Sequence, residues 1–157
     1  CIQMFSLLIE KSQFEPDENK INNLSLIFAK SGLKEFENDP NKFAVLTKVA
    51  EMTFVQQNIL QIINEIRPTQ KNSTSSGSIQ YTATAIWISD ILKDLQNKAS
   101  VGKQFWKGNI TLDTELEILE TFNLIKSFPL GTTDEAGYSI TTLGKLIIIY
   151  LSNPTSK

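Results

Sequence analysis

The sequence predicts a mainly α protein with a small β wing, an α+β fold. Three observations predict it. Apolar residues recur at helical spacing through most of the chain, two short strand-like segments flank a turn-rich stretch near the end, and a third alternating segment lies near the middle. The order of these elements gives the architecture once each one has been justified.

Residues 1–50 favour helices. Apolar residues at spacings of three and four follow Ile2, and a second set lies between Asp17 and Gly32, which are a helix start and a helix stop. A third helix is predicted to begin with Asp39 as N-cap and Pro40 at the first helical position. This segment is interpreted as a helical extension or as part of a second module.

Residues 51–98 predict a helix, a loop, a strand and a helix. Thr53 and Gln56 have capping-box spacing, and the apolar face that follows ends at Ile66, which indicates a core helix. Residues 68–78 contain no apolar side chain and are predicted to form a flexible surface insertion. Residues 79–86 alternate as a strand does, and a second helix is expected at 87–98.

The last third predicts a helix, two strands and a closing helix. The third helix carries an apolar stripe at Leu112, Leu116, Leu119, Phe122 and Ile125. Strand-like residues at 124–128 and 138–141 flank a turn-rich segment, and the closing helix turns Leu143, Leu146, Ile147 and Tyr150 inward. Over residues 51–157 this is the element order of a winged helix-turn-helix domain.

Composition excludes several function classes. The net charge is 15 − 17 = −2, spread evenly along the chain, so the basic footprint that duplex DNA requires is missing from the sequence. With no His and one Cys, Ser-His-Asp and Cys-His catalysis and a conventional zinc site are excluded. We therefore expect no enzyme, no cofactor and no metal. The longest apolar run, Leu146 to Leu151, is too short to span a membrane.

The third helix stands where a winged helix reads DNA, yet its charged residues are acidic. Asp113, Glu117 and Glu120 lie outside the apolar stripe and Glu115 lies at its border. Carboxylates oppose the approach of phosphates, so this helix is not expected to read DNA. Two interpretations remain, a solvated helix face or an acidic surface that docks basic partner segments.

The loop before that helix and the wing supply the other candidates. Lys103, Phe105, Trp106 and Lys107 could stack on unpaired bases and contact phosphates, or the aromatic rings could fill the core, with Trp106 the stronger candidate as a partner anchor. Lys126 is a further contact candidate. Trp87 is predicted to be a core residue, and the wing tip at 131–137 to be an exposed turn.

The segment TFVQQNILQIINEIRP, Thr53 to Pro68, resembles the opening helix of the winged-helix domain at the C-terminus of the replication protein A middle subunit. The segment TATAIWISDILKDL resembles that family's strand and second helix, and residues 112–141 its third helix and wing. The resemblance covers about two thirds of the chain. The insertion at 68–78 and the extra closing helix depart from that family and are closer to the Stn-type subunits of the telomeric CST complex.

This resemblance implies a non-enzymatic protein-interaction module of a nuclear complex that maintains telomeres or replicates DNA. Its partners would be telomerase or polymerase subunits, and a telomerase-associated protist version would fit this description. Single-stranded DNA would be bound mainly by a domain upstream of the segment. Two alternatives stay open: a DNA-binding transcriptional regulator with a helical dimerisation collar, and a structural subunit whose surfaces are buried in a larger assembly.

Overall fold

The protein is described here from a computed structural model, which covers residues 2–13, 17–33, 36–74, 80–97, 112–128 and 136–152. The described part is mainly helical with a small antiparallel sheet, which confirms the predicted α+β class. In chain order its elements are α1 (Ile2–Gln13), α2 (Glu18–Ser31), α3 (Lys42–Glu51), α4 (Phe54–Glu65), β1 (Thr69–Thr74), β2 (Gln80–Trp87), α5 (Ile88–Asn97), α6 (Leu112–Thr121), β3 (Ile125–Phe128), β4 (Gly137–Ile140) and α7 (Thr142–Leu151).

The three N-terminal helices form where the sequence predicts them, apart from the start of α3. Asp17 caps α2 through hydrogen bonds that its side chain accepts from the amides of Asn19 and Lys20. The prediction that Asp39 caps α3 is wrong, because that helix begins at Lys42 and its N-cap position is occupied by Asn41. The Asp39 carboxylate instead accepts the Asn41 amide hydrogen at 2.8 Å within the preceding turn.

Helix α4 is the central element of the core. Its capping box is present in both directions, because Thr53 Oγ1 accepts from the Gln56 amide and Gln56 Oε1 accepts from the Thr53 amide. The buried Gln57 side chain then donates to the Val49 carbonyl oxygen and accepts from the Asn23 side chain at 2.5 Å. Side-chain hydrogen bonds therefore join α4 to α2 and α3, and each bond satisfies a polar group inside the core.

The sheet has four antiparallel strands in the order β1-β2-β4-β3. Strand β1 pairs with β2 from Thr69 opposite Ala85 to Thr74 opposite Gln80. The prediction of an unstructured insertion is therefore wrong for residues 69–74, while residues 75–79 lie outside the described part of the chain. Backbone groups alone make the ladder of this polar edge strand, so its side-chain pattern carried no indication of it.

Helix α6 ends in a left-handed turn that separates it from β3. Asn123 has φ 59°, its amide donates to the Glu120 carbonyl oxygen, and the Leu124 amide donates to that of Leu119. This is a Schellman motif with Asn at the position that usually holds Gly. The predicted helical stripe is therefore wrong at Ile125, which belongs to β3 and pairs with Ile140.

The N-terminal helices and the closing helix α7 share one core. A single buried cluster runs from Leu24 to Leu151. The buried Lys30 ammonium donates to the carbonyl oxygens of Ile149 (3.2 Å) and Ser152 at the C-terminal end of α7, where a cation is favourable. These contacts make α2 an integral layer of the fold.

A second link joins the turn before α3 to α7. The hydroxyl of the buried Tyr150 donates to Asp39 Oδ2 at 2.7 Å, and its ring lies against Phe36 with centroids 4.7 Å apart. The hydrogen bond to Tyr150 lowers the pKa of Asp39, and burial followed by that same bond raises the pKa of Tyr150. Each group thus keeps the protonation state that maintains the bond.

Helix α7 approaches the chain closely at its first turn. A Cβ atom added at Gly144 would lie 2.2 Å from the Leu124 carbonyl oxygen, which also accepts the Thr141 amide hydrogen at 3.0 Å. Thr141 caps the helix by accepting from the Gly144 amide. The glycine therefore lets the helix start directly against the turn that follows α6.

In the described ranges, no helix is long and apolar enough to cross a membrane.

Candidate functional site

The exposed face of α6 is acidic. Leu112, Leu116 and Leu119 are buried and turn the helix so that Asp113, Glu117 and Glu120 project outward, as the apolar stripe predicts. The other exposed positions of this helix are Thr114 and Thr121. We call Asp113, Glu117 and Glu120 the acidic face of α6, and within this helix no basic side chain accompanies them.

Glu120 is held in place by β3. Its Oε1 atom accepts hydrogen bonds from the Ser127 amide at 2.9 Å and from the Ser127 hydroxyl at 2.7 Å. These two bonds lower the pKa of Glu120, with a smaller contribution from the charge of Lys126. The carboxylate is therefore ionised at neutral pH and fixes the position of the sheet edge relative to α6.

Lys126 lies on this same surface and is exposed. It is the basic candidate next to the acidic face, and its charge acts on Glu120. Among the side chains that the structure describes, this surface carries one ammonium group and three carboxylates. Acidic groups therefore outnumber basic groups among the described side chains of this surface.

The charges of these carboxylates affect the pKa of Tyr138 in β4. Burial makes the largest contribution to the raised pKa of the Tyr138 hydroxyl, and the charges of Asp113, Glu120 and Glu117 raise that pKa further. All three acidic side chains therefore act on one point of the sheet. The structure brings these three candidates together with Lys126 on one side of the molecule.

Glu115 differs from the prediction that it lies at the border of the stripe. The residue is 4% exposed, on the buried side of α6, and its Oε2 atom has no hydrogen-bond partner in the described part of the chain. The apolar stripe could not predict the burial of Glu115, because the elements that pack against α6 determine how much of the helix surface they cover.

The remaining candidates divide between buried and undescribed positions. Trp87 is 1% exposed and belongs to the core, as predicted. Lys103, Phe105, Trp106 and Lys107 lie outside the described residues, and so do residues 131–135 of the predicted wing tip. The prediction of an exposed turn is wrong at Gly137, which is buried and belongs to β4. The described strands β3 and β4 confirm the two strands expected on either side of that turn.

The described side chains offer no cluster of three or more His, Cys, Asp or Glu residues that could hold a metal ion. Comparison of the chain with family models, with curated proteins and with solved structures found no match. The functional interpretation therefore rests on the geometry and charge of the molecule and on the sequence resemblance.

Proposed function

We propose that the protein is a non-enzymatic protein-interaction module of the winged-helix class, in which residues 51–157 form the winged-helix domain and residues 1–50 an extension packed on it. In this assignment α4, α5 and α6 are the three helices, β2, β3 and β4 the sheet with its wing, and α7 an additional closing helix. The antiparallel pairing of β2 with β4 and of β4 with β3 supports the assignment.

One observation carries the functional part of the proposal: α6, the helix in the position that reads DNA, presents the acidic face to solvent. A helix that enters the major groove passes between two rows of phosphates, and carboxylates there are repelled. An exposed row of carboxylates complements a partner segment rich in Lys or Arg, which it attracts over about one Debye length.

The biological setting follows from the sequence resemblance and is part of the proposal. A winged helix of the replication protein A or Stn kind would tether a nuclear single-strand-binding complex at telomeres or replication sites. Its partner would be a basic segment of a telomerase or polymerase subunit. The acidic face would then provide contact without chemistry.

The first experiment is a fluorescence-anisotropy titration of the chain against three labelled probes, at low and at physiological salt. The probes are single-stranded DNA, duplex DNA and a Lys- and Arg-rich amphipathic peptide of about fifteen residues. We expect saturable binding of the peptide and weak or no binding of duplex DNA at physiological salt. Salt should weaken the peptide complex, because the attraction is between exposed charges.

Charge reversal locates the peptide site. The double variant Asp113→Lys/Glu117→Lys should abolish peptide binding. The matched control Glu10→Lys/Glu37→Lys makes the same change of net charge at exposed positions on other elements and should retain it. Duplex binding that persists at physiological salt would overturn the proposal and favour a transcriptional regulator. Equal loss of peptide binding in both double variants would show non-specific attraction instead.

A further inference from the structure

A second surface feature lies on the sheet, apart from the acidic face. It is a groove of about 260 Å³ between the C-terminal end of α4, strands β2 and β4, and the first turns of α7. Ile63, Ile66, Ile86 and Ile140 provide apolar walls. The volume is below the range of about 300–1,000 Å³ that holds drug-sized ligands, and suits one inserted side chain.

The rim of the groove is polar on two sides. Asn64 and Lys145 both line it, and both residues are exposed. Neither side chain makes a hydrogen bond or an ion pair with the residues that the structure describes. The backbone amide of Lys145 donates to the Thr141 carbonyl oxygen within α7. An amide and an ammonium group are therefore available to a ligand at the mouth of an apolar groove.

The charges of the residues that line the groove indicate which charge a ligand should carry. The ten described residues that line it include one ammonium group and no carboxylate. Asp113, Glu117 and Glu120 are not among them. A ligand that places an apolar group between the isoleucines would therefore meet a positive charge at the rim, the opposite of what the acidic face presents.

We propose that this groove docks an acidic peptide segment, which inserts one aliphatic or aromatic side chain between α4 and β4 and sets a neighbouring carboxylate against Lys145 and Asn64. Lys145 donates a charge-assisted hydrogen bond to the carboxylate and the Asn64 amide donates a second. The groove and the acidic face share no charged residue, although the charges of the acidic face act on Tyr138, which also lines the groove. The module therefore carries two docking surfaces, and Lys145 is the charged group among the described residues of the groove.

The experiment uses three short peptides with the same central Phe, flanked on both sides by Glu, by Gln or by Lys. Each is titrated into the ¹⁵N-labelled full chain, and amide chemical shifts give both the location and the affinity. We expect the Glu peptide to shift the amides of Asn64, Ile140 and Lys145 and to bind most tightly. At these amides the Gln peptide should bind more weakly and the Lys peptide most weakly, whereas binding of the Lys peptide to the acidic face would shift the amides of α6 instead.

Two variants test the role of the lysine. Lys145→Gln should weaken the Glu peptide about two- to fivefold, the range expected for an exposed ionic contact, and should leave the Gln peptide unchanged. Lys145→Glu should reverse the order, so that the Lys peptide binds more tightly than the Glu peptide. A variant that had merely lost structure would weaken all three peptides and would not reverse the order. Lys93→Gln, an exposed change on α5, is the matched control.

Shifts by the Glu peptide that map elsewhere, or an order of affinities that Lys145→Glu leaves intact, would overturn the proposal. The test of the groove is independent of the test of the proposed function. Variants of Lys145 test the groove, whereas variants of Asp113 and Glu117 test the binding of the basic peptide to the acidic face. The chain could lose either docking surface and retain the other.

Discussion

Replacement of Gly144 by Ala tests the packing of α7 against the turn after α6. Alanine in a helix is favoured over glycine by about 1 kcal/mol, so local propensity alone predicts a more stable protein. The new Cβ would lie 2.2 Å from the Leu124 carbonyl oxygen, whereas a carbon and an oxygen in contact normally stand about 3.3 Å apart. The obstacle is backbone, so α7 must move by about 1 Å.

The free-energy cost of displacing α7 exceeds the gain in helix propensity from glycine to alanine. Overpacking of this kind costs about 1–3 kcal/mol, and displacement of α7 also weakens the Thr141 to Leu124 hydrogen bond, which contributes about 1 kcal/mol. After subtracting the propensity gain, Gly144→Ala should lower the free energy of unfolding by roughly 1–3 kcal/mol. For a chain of this length the Tm should fall by roughly 2–12 °C.

Thermal and urea unfolding followed by circular dichroism at 222 nm measure the effect. Gly32→Ala is the matched control, because a Cβ there would meet only the Ala29 carbonyl oxygen at 3.5 Å, and the residue has negative φ. That substitution should raise the stability by about 0.4–1 kcal/mol. A Gly144→Ala protein as stable as the wild type would refute the close approach of α7 to Leu124.

Two further substitutions test contacts that join distant parts of the chain or end a helix. Tyr150→Phe should lower the free energy of unfolding by about 1 kcal/mol at pH 7. Because the folded pKa of Asp39 is lowered, this contribution is present above pH 4 and is lost as the pH falls through that pKa, so urea unfolding at pH 3 should show a smaller difference. An undiminished difference at pH 3 would contradict the role of the Asp39 carboxylate. Asn123→Ala should destabilise by about 1 kcal/mol and Asn123→Gly should not, as urea unfolding would show; equal effects would contradict the left-handed turn.

The acidic face shows how far sequence reasoning reaches into a site. The apolar stripe predicted that Asp113, Glu117 and Glu120 face solvent, because three leucines on one side of a helix fix the direction of the other side. The apolar stripe could not predict the hydrogen bonds that Glu120 accepts from Ser127, nor the burial of Glu115. Both depend on which element packs against α6.

The sequence by itself determined the elements whose causes are local. The capping box at Thr53, the cap at Asp17 and the alternation before Trp87 each involve residues a few positions apart, and the structure contains all three elements. Interactions within one helical turn or one strand are encoded in the same few residues that form them.

Tertiary structure alone decided the features that join distant segments. Lys30 reaches a carbonyl oxygen 119 residues away and Tyr150 bonds a carboxylate 111 residues away. Strand β1 exists through its backbone pairing with β2, which a polar side-chain pattern does not encode. Such contacts form only when the whole core brings the partners together, so no local pattern could indicate that the N-terminal helices and α7 belong to one fold.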